Sequence, residues 1–251
     1  MLTNMIKIDS VVFSMGNEKY KNERPVRQVS LSPYYIDLFP VTNRRYKKFL
    51  DRQGYEKREY WTSIGWEFLS SKKFTAPLYW SDANWNLPDQ PVTGVSWWEA
   101  LAFARFEGKT LPTEAQWEYM ASGGVNSYPW GDTPPDLSKA NYAEGCEPHE
   151  LNRRSTPVNR FSHSRSHCGC WDVAGNVGEW CLDNHSKTYE WDDKRRDPMH
   201  VTAELDPHIV RGGSGLHDED SLRTTSRDYY VPTIRDNIVG FRCAINIGQP
   251  L

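Results

Sequence analysis

Apolar residues along this chain come in short bursts rather than long periodic runs. Residues 6–16, Ile-Lys-Ile-Asp-Ser-Val-Val-Phe-Ser-Met-Gly, partly alternate and predict a strand closed by a glycine turn. Residues 27–38 repeat the strand pattern, as do 208–214 and 238–245 near the end. Helical spacing is rarer. Thr42 can cap a first helix that puts Tyr46, Phe49 and Leu50 on one face. Ser96-Trp-Trp-Glu99 and Thr113-Glu-Ala-Gln116 are capping boxes, in which a hydroxyl and the acid or amide three residues on satisfy each other's free backbone N–H. The helices they open should stop at Gly108 and at Gly123-Gly124, the second with Trp117, Met120 and Ala121 on one face. Residues 52–92 lack periodicity but carry Trp61, Trp66, Trp80 and Trp85, which predicts a long loop region pinned by aromatics. Residues 133–170 are rich in loop formers, and 184–208 are charged and punctuated by proline. No repeat or composition break divides the chain, so one domain is expected over residues 1–251.

Composition sharpens this picture. The 251 residues include 11 Trp, 13 Tyr, 16 Pro and 17 Gly but only 38% hydrophobic positions, which favours irregular backbone held by buried aromatic rings. A net charge of -3 gives no electrostatic case for nucleic acid or an anionic membrane as partner. No apolar run approaches a bilayer's thickness, and the first ten residues lack a secretory pattern, so a cytoplasmic location is expected. Five cysteines at irregular spacing argue against a disulfide framework and fit a reducing compartment. Cys168 and Cys170, with one residue between them, are expected to be too close for an easy mutual disulfide.

The chemistry concentrates in residues 168–183. Asp172 and Glu179 bracket a glycine-punctuated turn in which Gly175 and Gly178 let the backbone bend. Two carboxylates separated by curled backbone make a hard-cation site, since calcium takes side-chain and carbonyl oxygens alike. The plainer alternative is a turn between strands with Trp171 and Trp180 as core anchors. His163 and His167 with Cys168 could ligate a transition metal if helical, but their Ser-rich setting favours ordinary loop polars. Ser214, His217 and Asp218 suggest hydrolytic partners, although neighbours in one loop seldom reach triad geometry.

Ordered motifs over nearly the whole chain resemble the formylglycine-generating enzyme (sulfatase-modifying factor) family. They include Phe39-Pro-Val-Thr-Asn43, Pro91-Val-Thr-Gly-Val-Ser-Trp97, Gly108-Lys-Thr-Leu-Pro-Thr-Glu-Ala-Gln-Trp-Glu-Tyr119, Pro129-Trp-Gly-Asp132, Asp172-Val-Ala-Gly-Asn-Val-Gly-Glu-Trp180, Val210-Arg-Gly-Gly-Ser214 and Gly240-Phe-Arg-Cys-Ala244. The resemblance implies an α+β domain related to the C-type lectin fold, with short strands, two main helices and many irregular loops. It also implies structural calcium, held by Asp172, Gly175, Val177 and Glu179, and at a second site by Asn141, Tyr142, Glu150 and Asn152.

The family's aldehyde-forming members bind copper through two cysteines placed soon after the Gly-Gly-Ser strand. Here those positions fall on His217 and Leu222, and the tryptophan usual within the Gly-Asn-x-Trp-Glu turn is Gly178, so conversion of cysteine to formylglycine is not expected. Residues 223–235 resemble the sulfoxide synthases, whose iron-binding histidines lie in a domain this sequence lacks. Other branches are siderophore-precursor oxidases without the cysteine pair and variable ligand-binding proteins. The expectation is therefore a divergent, calcium-stabilised member that binds a small-molecule, peptide or protein ligand through residues 214–236. Its candidate contacts are Ser214, His217, Asp218, Arg223, Arg227, Asp228, Tyr229, Tyr230 and Arg235, with the three arginines read first as internal struts to nearby carboxylates. The rival expectation is a metal- and oxygen-dependent oxidoreductase acting on a peptide or amino-acid-derived substrate, to which copper or iron would belong.

Overall fold

A computed structural model describes residues 2–143, 155–190 and 196–248. The expected first strand is broken at Asp9-Ser10 into β1 (Met5–Ile8) and β2 (Val11–Met15), and the second is broken at Ser32-Pro33 into β3 (Arg27–Leu31) and β4 (Tyr34–Asp37). Proline has no N–H to give a ladder, so Pro33 marks the place where the chain changes sheets. β2 pairs antiparallel with β3, while β1 pairs with β4. β4 in turn takes the last strand, β9 (Ala244–Asn246), as its other neighbour, which ties the two ends of the chain together.

The helices follow their caps. α1 (Asn43–Asp51) begins at Thr42, whose hydroxyl accepts from Arg45 N. α3 (Trp97–Phe106) and α4 (Glu114–Ser122) each start with both bonds of the expected capping box, and α4 ends at Gly123 in the left-handed region. α2 (Ser63–Lys72) corrects the loop expected over residues 52–92 and makes four α-helices among the described residues. Its signal is weak because Gly65 and two serines interrupt the pattern. Gly65 is needed there: a Cβ would sit 2.8 Å from the Trp98 ring. Thr62 caps this helix by accepting from Gly65 N.

The four-stranded sheet carries the turns at Asp172–Glu179 and Gly212–Gly213. Its order is β7 (Arg227–Tyr230), β6 (His208–Arg211), β5 (Gly178–Asn184) and β8 (Val239–Gly240), with only β5 and β8 parallel. One apolar cluster packs α1 and α3 on this sheet through Tyr46, Phe49, Trp98, Phe103, Trp180 and Phe241. A second packs α4 on β2–β4 through Trp117, Met120, Phe13, Tyr34 and Ile36. Trp180 is fully buried as expected, whereas Trp171 is only half-buried, under the Arg165 guanidinium at 4.3 Å. Among the described residues no helix is long and apolar enough to cross a membrane.

The small apolar fraction is compensated by buried ion pairs. Arg211 and Arg227 share Glu114, Arg211 also meets Glu118, and Arg242 meets Glu179, every one of these side chains being at most 2% exposed. Such pairs persist only when their geometry is good enough to offset desolvation.

Candidate functional site

β6 runs into Gly212 and Gly213, both at positive φ (93° and 65°), and the chain turns there. A Cβ on Gly212 would lie 2.7 Å from Val173 O, so glycine is required for the strand end to pass this close to the 172–178 turn. Ser214 follows, then a loop and a short 3-10 turn over residues 219–222, and β7 returns antiparallel to β6 with Val210 opposite Asp228 and Ile209 opposite Tyr229.

This return brings His217 and Asp228 together from different parts of the segment. Ser214 Oγ and His217 Nδ1 are 2.8 Å apart, and His217 Nε2 lies 3.8 Å from Asp228 Oδ2. Asp228 is fixed from the other side, since Tyr230 OH donates to Oδ2 at 2.9 Å and Tyr229 N donates to Oδ1 at 2.7 Å. Burial, with the Asp228 carboxylate beside it, raises the Tyr230 phenol well above its ordinary value. Tyr229 points outward and stacks on His185 at 3.7 Å. The hollow below His217 and Asp228 is small, about 90 Å³.

The suggested Ser214, His217 and Asp218 trio is corrected by this geometry. Ser214 is fully buried and so orients His217 rather than presenting a nucleophile. Asp218 instead caps the 3-10 turn, accepting from Ser221 N and Oγ. The three arginines, read first as struts, each meet a carboxylate. Arg223 grips Glu23 through two bonds of 2.9 and 3.0 Å and lies 3.5 Å from the Tyr20 ring centre. Arg227 holds Glu114, and Arg235 pairs with Glu99 at 2.9 Å beneath Phe74. Leu222, where the second copper thiolate would stand, is buried and apolar. The other described cysteines, Cys168, Cys170, Cys181 and Cys243, are free thiols in other parts of the fold.

The turn expected to hold calcium is present. Asp172 is buried without an ion pair among the described residues, accepting only from Asn159 N at 3.1 Å and Asn176 Nδ2 at 3.4 Å. Burial pushes its carboxyl up to about 6, against the Asn159 amide and Arg242 and with the help of Glu179. A buried acid so poorly compensated fits a cation site. Glu179 is more committed: Arg242 donates to both oxygens at 2.6 and 2.7 Å and Trp117 Nε1 adds a third bond at 2.7 Å. A carboxylate has about four acceptor positions, which leaves Glu179 one to offer. Gly175 packs against Asn141, and Asn176 N donates to Asn141 O at 2.8 Å, so the two expected calcium sets meet at Gly175 and Asn141. Tyr142 is buried close by, its hydroxyl donating to Pro135 O, while Glu150 and Asn152 lie outside the described residues. Among the described residues no group of three or more His, Cys, Asp or Glu is gathered for a metal, so a cation at the turn would rest on two carboxylates and backbone oxygens. His167 packs on Tyr119 of α4 rather than joining a ligand set.

Sequence reasoning missed a cleft of about 530 Å³ between α3, the β5–β6 sheet and residues 199–204. Its wall is the His208 ring stacked on Trp97 at 3.9 Å, with Glu204 beneath, accepting from Trp98 Nε1 at 2.6 Å. Trp97-Trp98 was legible as a helix start, but nothing in the spacing of Glu204 and His208 marks them as its partners.

The family model for the sulfatase-modifying factor enzyme 1-like domain matches residues 1–247. The chain belongs to that family. It is 33% identical over 278 residues to the formylglycine-generating enzyme of Streptomyces coelicolor, covering 95% of this chain and 88% of that protein. It is 33% identical over 261 residues to the serine/threonine-protein kinase Pkn1 of Chlamydia trachomatis, covering 98% of this chain but spanning only 39% of that protein's length. Among solved structures, PvdO from Pseudomonas aeruginosa superposes with a TM-score of 0.76 at 21% identity, over 97% of this chain and 94% of that one. The architecture is thus the α+β, loop-rich fold of this family.

Proposed function

We propose that this domain captures a ligand through the surface formed by residues 214–236, on a scaffold tied by calcium at the Asp172–Glu179 turn. The observation that carries this is Tyr229, 48% exposed and stacked on His185 beside the His217–Asp228 pair. A rigid aromatic next to oriented polar groups suits a contact surface, because little side-chain freedom is lost on binding. Ser214 and Tyr230 hold His217 and Asp228 in place, and Asp218, Glu219 and Asp220 add an exposed acidic rim that favours a basic peptide or protein segment. A library of displayed peptides is the direct probe. Peptides captured by the wild-type chain should bind the Tyr229→Ala variant at least about tenfold more weakly at unchanged melting temperature. Equal capture by both chains would remove this surface from the function.

A second reading, a metal- and oxygen-dependent oxidoreductase, draws on kinship with the Streptomyces enzyme. Stoichiometric copper or iron in the purified protein, with oxygen uptake abolished by His217→Ala, would put it first. Calcium has its own test. Added calcium is expected to raise the melting temperature of the wild-type chain, and Asp172→Asn to abolish that rise. An equal rise in the variant would place the cation away from this turn.

A further inference from the structure

Just before the calcium turn, residues 166–170 close on themselves. Gly169 N donates to Ser166 O at 2.7 Å and Ser166 N to Cys170 O at 2.9 Å. Gly169 sits at φ +92°, in open space where a Cβ would meet only Ile6 at 3.7 Å. The bend sets Cys168 Sγ 3.7 Å from Cys170 Sγ. Ser166 Oγ stands between the two residues, 3.2 Å from Cys168 Sγ and accepting from Cys170 N at 3.2 Å. Cys168 is the part-exposed member of the pair, and Cys170 is buried. Cys181 and Cys243 are buried in the core.

We propose that Cys168 and Cys170 form a reversible dithiol–disulfide site that reacts with low-molecular-weight disulfides. This reverses the expectation that a single intervening residue leaves the two too close for an easy mutual disulfide: that residue is a glycine already bent into the left-handed region. The two sulfurs already stand 3.7 Å apart, against about 2.04 Å in a disulfide.

The exchange balances without a metal. The Cys168 thiolate attacks one sulfur of the external disulfide and releases the other as a thiolate, which takes up a proton. The Cys170 sulfur then attacks Cys168 Sγ, and its proton passes to the second external sulfur, which leaves as a thiol. Two electrons pass from the protein to the disulfide, which leaves as two thiols. Cys168 suits the attacking role. Its hydrogen bond with Cys170 outweighs burial and, with Ser166 and His167, holds its thiol down to about 6. A thiolate is therefore present at neutral pH on the accessible member of the pair.

The test uses the full chain, oxidised glutathione as the probe, and intact mass followed by peptide mapping. The expected product has lost two hydrogens, is bridged between Cys168 and Cys170, and returns to the dithiol with a reducing agent. Cys170→Ser should stop with one glutathione on Cys168, and its Cys168 should alkylate roughly tenfold more slowly at neutral pH, its main thiolate-stabilising donor having been altered. A wild-type chain that retains glutathione on Cys168, remains unreacted, or bridges through any other cysteine would overturn the proposal. The wild-type result decides the matter even if a variant fails to fold.

Discussion

Glu114→Gln should destabilise the protein by about 3–5 kcal/mol, the cost of breaking a buried charge network from one side. Glu114 lies in the first turn of α4 and accepts from Arg211 at 2.7 Å, from Arg227 at 2.7 and 2.9 Å, and from Tyr189 OH at 3.2 Å. The amide keeps the shape but removes the charge. Arg227 is then left with the carbonyls of Asn22 and Ser186, and Arg211 with Glu118 and Thr224 O. The effect should depend on pH in a defined direction. Burial opposes ionisation of Glu114, but Arg227 and Arg211 outweigh it and hold the carboxyl down at about 2, below the ordinary 4.5. A folded-state value below the unfolded one means stability that is complete above about 4.5 and lost as pH falls toward 2. Urea midpoints of wild type and variant should therefore converge across that window. A gap that stays constant down to pH 2 would mean that the carboxylate's charge is not what holds α4 to β6 and β7.

Arg242→Met is the second large effect expected, again about 3–5 kcal/mol. The guanidinium is fully buried and joins four chain segments: Glu179 on β5, Asp37 O at 3.0 Å, Trp171 O at 2.9 Å, and its own closing segment. Without it Glu179 keeps only the Trp117 bond and stands as an unpaired buried charge. Adding Glu179→Gln to Arg242→Met should recover part of the loss, since the stranded charge is then gone; a fully additive double variant would show that the two residues do not act as a pair. Calcium should stabilise the Arg242→Met chain more than wild type, being the one positive charge left beside Glu179 under the proposed function.

The sequence was most legible where chemistry is local. The capping boxes at Ser96 and Thr113 are complete in the four residues that form them, and both helices begin there. α2 escaped notice because Gly65, which reads as a helix breaker, gains its meaning only from Trp98, more than thirty residues away, even though the Thr62 cap is local. The candidate site shows the same division. His217 stood out by its place in the motif, but its acid partner is Asp228 across the β6–β7 return, not the adjacent Asp218.

By itself the sequence determined the family, the α+β class and the glycine-bent Asp172–Glu179 turn, because ordered motifs and short-range bonds suffice for these. Only the tertiary structure decided which charges are spent and which are available. Arg223, Arg227 and Arg235 look like Tyr229 and His217 in a string of surface-type residues. Yet each arginine ends on a carboxylate from a distant segment, Glu23, Glu114 or Glu99. Burial removes the solvent that would otherwise compensate a lone charge, so long-range pairing, which no local pattern encodes, decides which of these charges are already spent.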